Sequence, residues 1–354
     1  MKKTLKLLFV IIFFITCAIP ILCMPFVSSV NTENRSLSSL PTWTLENGSF
    51  NLDYFNELET YVSEHFAFRS QLIEWDNLLK YKLFHSSGNE QVILGKNDWM
   101  FFSETLEDYS GITLPLSEME QITNNLAKIC NYIQEQGKQP AIMIIPNKNT
   151  IYPEYMPNSF SGSATPTNLD ILQEQMQQKN IPYVDAKKIL WDNKSLDTLY
   201  LRHDTHWNNT GARIVLNDLY RFLGINSQHT IGNYTIEASH VPDLYPMLFP
   251  TQDYTEEQHI YPSESSYEHI GRFRGLDDLN IETASDNGNG KRILLYRDSF
   301  GRAMIPYMAE QFDYCIFNRS TPYDLSLIAE TECDYVVIEI VERNISDLGD
   351  IIIP

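Results

Sequence analysis

The 354-residue chain is short of basic residues: 26 Lys and Arg stand against 46 Asp and Glu, a formal charge of −20. No basic patch is available to neutralise phosphates, which argues against nucleic acid as a partner and disfavours adhesion of the body to anionic lipid. Neutral, N-acetylated or cationic sugars face no such bar, and the plainest reading of the charge is a solvated, solubilising surface. Cysteine is scarce as well, with five residues and neither C-x-x-C nor metal-ligand spacing, so no disulfide framework and no zinc site is implied. Cys17 and Cys23 lie in the apolar N-terminal run. Cys130, Cys315 and Cys333 fall at apolar positions of predicted elements and read as buried thiols; a Cys315–Cys333 bridge requires their strands to be neighbours. Only 15 Gly and 17 Pro occur, and no repeat is visible, while 43% of residues are apolar. That composition describes a globular body with a sizeable core, organised as one large or two moderate domains.

One long apolar run is present, Leu7 to Val30, preceded by Lys2, Lys3 and Lys6. A charged start followed by more than 20 uncharged residues reads as a signal-anchor helix over residues 1–30, with the N-terminus in the cytoplasm and the rest outside. Cleavage after Ser29, with Val27 and Ser29 at the small-residue positions, is the exported alternative. Residues 31–49, rich in Ser, Thr, Asn and Pro, read as a linker. From Phe50 to Phe84 the apolar residues (Leu52, Phe55, Leu58, Val62, Leu72, Trp75, Leu79, Leu83) recur at helical spacing. Val92 to Phe102 reads as a hairpin turned at Gly95–Asp98. Residues 50–115 are thus expected to form helices and a hairpin packed on a domain spanning 116–354. Trp99 is expected in the core of that hairpin rather than on a sugar.

From Leu116 onward short apolar strands alternate with amphipathic helices. Ser117–Gln136 is a helix, Pro140–Pro146 a buried strand, Asn168–Lys179 a helix and Ile181–Ala186 a strand. A helix over Asn208–Phe222 follows. The last third continues with strand Ile293–Tyr296, helix Arg302–Phe312, strand Tyr314–Phe317, helix Pro322–Ala329 and strand Tyr335–Val341. This alternation means an α/β fold with a parallel sheet flanked by helices, and ligands in such sheets bind at the carboxyl ends of the strands. Between residues 227 and 290 the alternation breaks into a Tyr-, His- and Pro-rich stretch, too long for a simple loop, which is expected to be a β-rich insertion. His229, His240, His259 and His269 within it read as structural or solvated.

The chemistry concentrates in two passages. In Leu199 to Ile214, Asp204 and His206 stand two apart, which on extended backbone places both side chains on one side. A carboxylate that accepts the Nδ1 proton leaves Nε2 free to act as a base. The second passage, Lys291 to Arg302, is an apolar strand running into Asp298-Ser299 and then a helix-like segment, the placement exploited by nucleophile elbows. Asn147 and Lys148 follow another strand end. Taken alone, a D-x-H pair is often only a turn and an Asp-Ser before a helix only a cap.

Together, Asp204-Thr-His-Trp, Asn208-Asn-Thr-Gly-Ala and Arg297-Asp-Ser-Phe resemble the SGNH-hydrolase-like proteins of the alginate O-acetyltransferase type, the AlgX- and AlgJ-like proteins and the DHHW proteins. Weaker support comes from Glu64–Arg69, Gly95–Phe102 and Pro146-Asn147-Lys148. His65 and Arg69 within the first of these are expected to be structural. The resemblance implies an SGNH-like catalytic domain and acyl transfer through an acyl-serine, with Ser299 as nucleophile, His206 as base and Asp204 as its orienter. Backbone N–H groups of Ser299, Phe300 or Gly301 and the amide of Asn147 are oxyanion candidates, and Lys148 and Arg297 are substrate candidates. It also implies O-acetylation of an extracytoplasmic polysaccharide, acetyl delivered by a multi-pass membrane acyltransferase, and no cofactor or metal. An acetyl esterase with the same triad and a non-catalytic glycan-binding surface protein remain open beside the transferase.

Overall fold

The structure, a computed structural model, describes residues 2–27, 37–45, 47–162, 166–226, 229, 231–263 and 266–354. Ser29 and much of the expected linker lie outside the described residues. The chain divides into two compact units, residues 1–92 with 243–254, and residues 93–242 with 255–354. The division between the units falls near residue 93, inside the hairpin.

In the first unit, one helix, Lys2–Cys23, contains a stretch long and apolar enough to cross a membrane, Thr4–Cys23. Helices Tyr54–His65 and Arg69–Phe84 follow, broken at Phe68, whose φ of 66° cannot continue a right-handed helix. The buried Glu74 carboxylate accepts from the Thr251 N–H at 2.9 Å and from Gln252 Nε2 at 2.9 Å, and Asn77 Nδ2 donates to the Leu248 carbonyl at 2.8 Å. Those bonds hold residues 243–254 to the helix. His65 stacks on Tyr61 and Arg69 Nε donates to the Ser63 carbonyl, the structural roles expected of both.

In the second unit, strands β1 (Val92–Leu94) and β2 (Met100–Phe102) form the hairpin, where Trp99 is buried and stacks on Tyr155 with ring centroids 4.5 Å apart. Next come β3 (Gln139–Ile145), β4 (Tyr183–Val184), β5 (Thr235–His240), β6 (Glu256–Ile260), β7 (Glu268–Ile270), β8 (Asn280–Ala284), β9 (Arg292–Tyr296), β10 (Tyr314–Asn318) and β11 (Tyr335–Val341). Seven of them make one sheet in the order β4-β3-β11-β9-β10-β8-β7. The five from β4 to β10 are parallel, whereas β8 and β7 add antiparallel at one edge. The insertion thus supplies both this edge and a separate antiparallel pair, β5-β6.

Period-2 alternation sends successive strand residues to opposite faces. Ala141, Met143 and Ile145 join one core with Leu216 and Leu219 of helix Asn209–Phe222, and Ile142 and Ile144 join the other with Leu126 and Ile129 of helix Leu116–Glu135. Coverage of both faces is why these strands read as continuous apolar runs. Helix Asn168–Gln178 begins in a full capping box built by Thr167 and Asp170. The helix expected over Arg302–Phe312 is instead a 3-10 turn, Phe300–Ala303, followed by a seven-residue helix, Ile305–Gln311. That expected over Pro322–Ala329 starts only at Ser326. Cys315 on β10 and Cys333, which precedes β11, do not pair: β9 lies between the two strands, and all five thiols are free.

Candidate active site

The parallel order β3-β11-β9 brings the residues after three strand ends side by side: Asn147 and Lys148 after β3, Glu342 and Arg343 after β11, and Arg297 to Ser299 after β9. The Leu199–Trp207 passage reaches the same rim as a tight loop rather than an extended segment. Tyr200 and Trp207 form an isolated bridge, the Asn208 N–H donates to the Leu199 carbonyl at 2.9 Å, and Leu201 N–H to the His206 carbonyl at 3.2 Å. Asn208 then caps helix Asn209–Phe222 by accepting the Gly211 N–H at 2.9 Å. A Cβ on Gly211 would stand 2.6 Å from the Leu199 carbonyl oxygen, so the close return of the loop on the helix requires glycine there.

At the loop tip the His206 N–H and Nδ1 both meet Asp204 Oδ1, at 2.8 and 2.7 Å. The first contact is a side-chain turn, in which an aspartate accepts a backbone N–H two residues on. It brings the pair together on bent backbone, where the i, i+2 argument for a strand does not apply. His206 Nε2 lies 2.8 Å from Ser299 Oγ across 93 residues of chain. Asp204 is buried, while His206 and Ser299 are partly exposed. A hydroxyl, an imidazole and a carboxylate therefore form one continuous hydrogen-bonded line that ends at solvent.

Sequence reasoning missed a fourth member. His240, at the end of β5, brings Nε2 to 2.7 Å from Asp204 Oδ2, so the carboxylate holds an imidazole on each oxygen. Burial alone would raise the Asp204 pKa, but the charges and hydrogen bonds of His206 and His240 outweigh it and hold this carboxyl well below its usual range. No local pattern marks His240, which stands 36 residues beyond its partner.

Buttressing explains how the tip and the Ser299 turn stay in register. Lys148 Nζ, buried, donates to the carbonyls of Leu201 and Arg202 at 3.0 Å each and of Asp204 at 2.5 Å. These bonds tie the loop backbone to the end of β3. Arg297 is fully buried and donates from its guanidinium to the carbonyls of Leu276 (2.5 Å), Asp278 (3.3 Å) and Asp298 (3.2 Å), with its pKa pulled down to about 10 chiefly by burial. Asp298 fastens the turn, accepting from Phe300 N–H at 2.7 Å and from Val341 N–H of β11 at 2.8 Å. Phe300 N–H is thereby spoken for as an oxyanion donor. The Ser299 N–H has no hydrogen-bond partner among the described residues. Ser299 itself has ordinary helical dihedrals (φ −68°, ψ −25°), so no strained elbow is present. Trp207 Nε1 donates to the Phe300 carbonyl at 2.9 Å, and the Phe300 ring packs 4.6 Å from His206, which joins the two passages directly. Asn147 is buried, and among the described residues its Oδ1 lacks a hydrogen-bond partner.

Residues 92–241 match the family described as SGNH hydrolase-like domain, acetyltransferase AlgX, a span that holds Asn147, Lys148, Asp204, His206 and His240 but not Ser299. Over those residues the chain is similar to the SGNH-hydrolase-like domain of the alginate O-acetyltransferase type. Among curated relatives, a probable alginate O-acetylase AlgJ of Pseudomonas putida is 28% identical over 139 residues, which is 38% of this chain and 34% of that protein. Its counterpart in Pseudomonas syringae pv. tomato is 27% identical over 193 residues, 52% of this chain and 46% of that one. The chain thus spans between a third and a half of the length of these relatives. PatB1 of Bacillus cereus shares the fold, with a TM-score of 0.57 at 15% identity over 73% of this chain and 99% of the PatB1 chain. PatB1 with a sulfonyl adduct superposes with a TM-score of 0.56 at 14% identity, again over 73% of this chain and 99% of that one. The SGNH-like α/β fold, with a large sheet and an apolar N-terminal helix, is the one the sequence implied.

Proposed function

We propose that this protein is a membrane-anchored O-acetyltransferase that acts outside the cytoplasm on a cell-surface or exported polysaccharide through an acyl-Ser299 intermediate. The observation that carries the reading is the line from Ser299 Oγ through His206 to Asp204, with contacts of 2.8 and 2.7 Å. Those are the distances at which a base can take a hydroxyl proton during attack.

In this mechanism Ser299 Oγ attacks the acetyl carbonyl of the donor, and His206 Nε2 receives its proton. Asp204 fixes the Nδ1–H tautomer and stabilises the imidazolium, aided by His240 on its other oxygen. The Ser299 N–H and the Asn147 amide are the oxyanion donors proposed, each worth about 3–4 kcal/mol in such sites. His206 then returns its proton to the leaving group. A sugar hydroxyl, deprotonated in turn by His206, attacks the acyl-serine; the bond from the acyl carbon to Ser299 Oγ breaks, His206 returns the proton to Oγ, and the sugar leaves with the acetyl group. No step calls on a metal or organic cofactor. Helix Lys2–Cys23 is read as the anchor, with the acetyl donor a multi-pass membrane acyltransferase.

The test is partition of an acyl group. The full chain in detergent, given an aryl acetate with and without oligosaccharide, should form acetylated sugar; release of acetate alone would make it an esterase. In the native host, Ser299→Ala should remove acetate from the surface polymer. Unchanged polymer acetylation would end the reading.

A further inference from the structure

Beside the triad, a cleft of about 230 Å³ opens along the same strand ends. Its lining includes Asn147 after β3, Glu342 and Arg343 after β11, and Glu104, Glu107 and Asp108 from the segment following β2. Arg343 links it to the catalytic line: its guanidinium lies 5.4 Å from the Phe300 ring, which packs against His206, and 5.7 Å from the Phe102 ring. Size is informative here, since drug-sized ligands occupy pockets of roughly 300–1,000 Å³; this one suits a single sugar unit.

Its polar lining is built for a ligand in two respects. Asn147 is 98% buried and lines the cleft, and among the described residues its Oδ1 has no donor, an arrangement that is costly unless a hydroxyl or ammonium fills it. Four carboxyl groups and one guanidinium line the cleft. Glu104 and Glu107, exposed at the mouth, carry its negative charge, whereas burial raises the pKa of both Asp108 and Glu342 in the wall, where Glu342 also accepts from Asn147 N–H at 2.7 Å and Thr150 Oγ1 at 2.6 Å. A uronate carboxylate entering here meets like charge. An ammonium meets its complement.

We propose that this cleft is the acceptor subsite, and that it takes an amino sugar in preference to a neutral sugar and excludes uronates. The inference rests on the transferase reading, and it departs from the alginate, a polyuronate, named for the curated relatives. No new covalent step is involved: the sugar hydroxyl attacks the acyl-serine as above, and the amine only positions it.

Binding separates this proposal from the chemistry. Full-length Ser299→Ala protein in detergent is titrated calorimetrically with chitosan, cello- and mannuronate oligomers of equal length. The expected order of affinity is chitosan, then cello-oligomer, then mannuronate. Glu104→Lys/Glu107→Lys should shrink the chitosan-to-mannuronate ratio roughly tenfold, as two exposed charges reversed would do. A chitosan affinity no greater than that of the cello-oligomer, any preference for mannuronate, or a ratio indifferent to charge reversal overturns the proposal. Aryl acetate hydrolysis by the unmodified chain tests the acyl-serine reading separately, so binding in the expected order without hydrolysis would sink only that reading.

Discussion

Replacing Asp204 by Asn probes the site where its parts are most tightly coupled. The carboxylate serves two imidazoles at once, His206 Nδ1 on Oδ1 and His240 Nε2 on Oδ2, each at 2.7 Å. An amide has one acceptor oxygen and can satisfy only one of them. If its NH₂ faces His206, Nδ1 must become the acceptor and the ring proton moves to Nε2, where it points at Ser299 Oγ and no base remains. If the NH₂ faces His240 instead, the His206 tautomer survives, but the imidazolium loses its buried counter-charge. Loss of tautomer control and charge in a serine triad lowers kcat by about 10⁴, or roughly 5–6 kcal/mol in the barrier. The assay is steady-state aryl acetate hydrolysis by the full chain in detergent between pH 6 and 9, with thermal unfolding as the control for folding. A well-folded Asp204→Asn variant that keeps activity within tenfold of the parent would refute the argument, because the His206–Ser299 contact would then be structural.

Three further outcomes follow from neighbouring contacts. His240→Gln removes a hydrogen bond to a buried charge and should lower kcat by roughly 10–100-fold with little change in KM; an unaltered kcat would show that His240 only packs. In Gly301→Ala, the new Cβ would lie 2.6 Å from Arg297 Cβ and 2.8 Å from Glu339 Oε2, so a cost of about 1–3 kcal/mol and a misplaced Ser299 are expected, read as a lower Tm together with lost activity. Burial, then the charge of Asp108, pushes Glu342 up to about 8 from 4.5. The folded chain therefore holds a proton that the unfolded chain releases, and stability falls as pH rises from about 4.5 to about 8. Glu342→Gln should flatten that fall, and a Tm profile as steep as the parent's would contradict the assignment.

Much of this was legible in the sequence, and the pattern of success has physical causes. Strands such as Tyr335–Val341 were found at their observed bounds because a strand covered on both faces leaves an unbroken apolar run. The pairing of Asp204 with His206 was read on strand geometry that the bent loop does not have, and the meeting of both with Ser299, 93 residues from His206, was implied by the family resemblance. What stayed hidden depends on tertiary placement. His240 sits on an irregular stretch whose strand pairing only the fold decides. Lys148 and Arg297 carry the charges expected of ligand-binding groups, yet backbone carbonyls absorb them, because the loops they hold would otherwise leave buried acceptors unpaired. The antiparallel edge of β8 and β7 escaped for a similar reason: short polar strands such as Glu268–Ile270 have no periodicity strong enough to stand out.

The central claim, that Ser299 carries the acyl group, is tested most directly by mass spectrometry of the full chain after brief exposure to an aryl acetate and acid quench. The account predicts one acetyl group on the peptide containing Ser299, absent from Ser299→Ala and strongly reduced in His206→Ala. An acetyl group on another residue, or equal labelling of the Ser299→Ala chain, would contradict it.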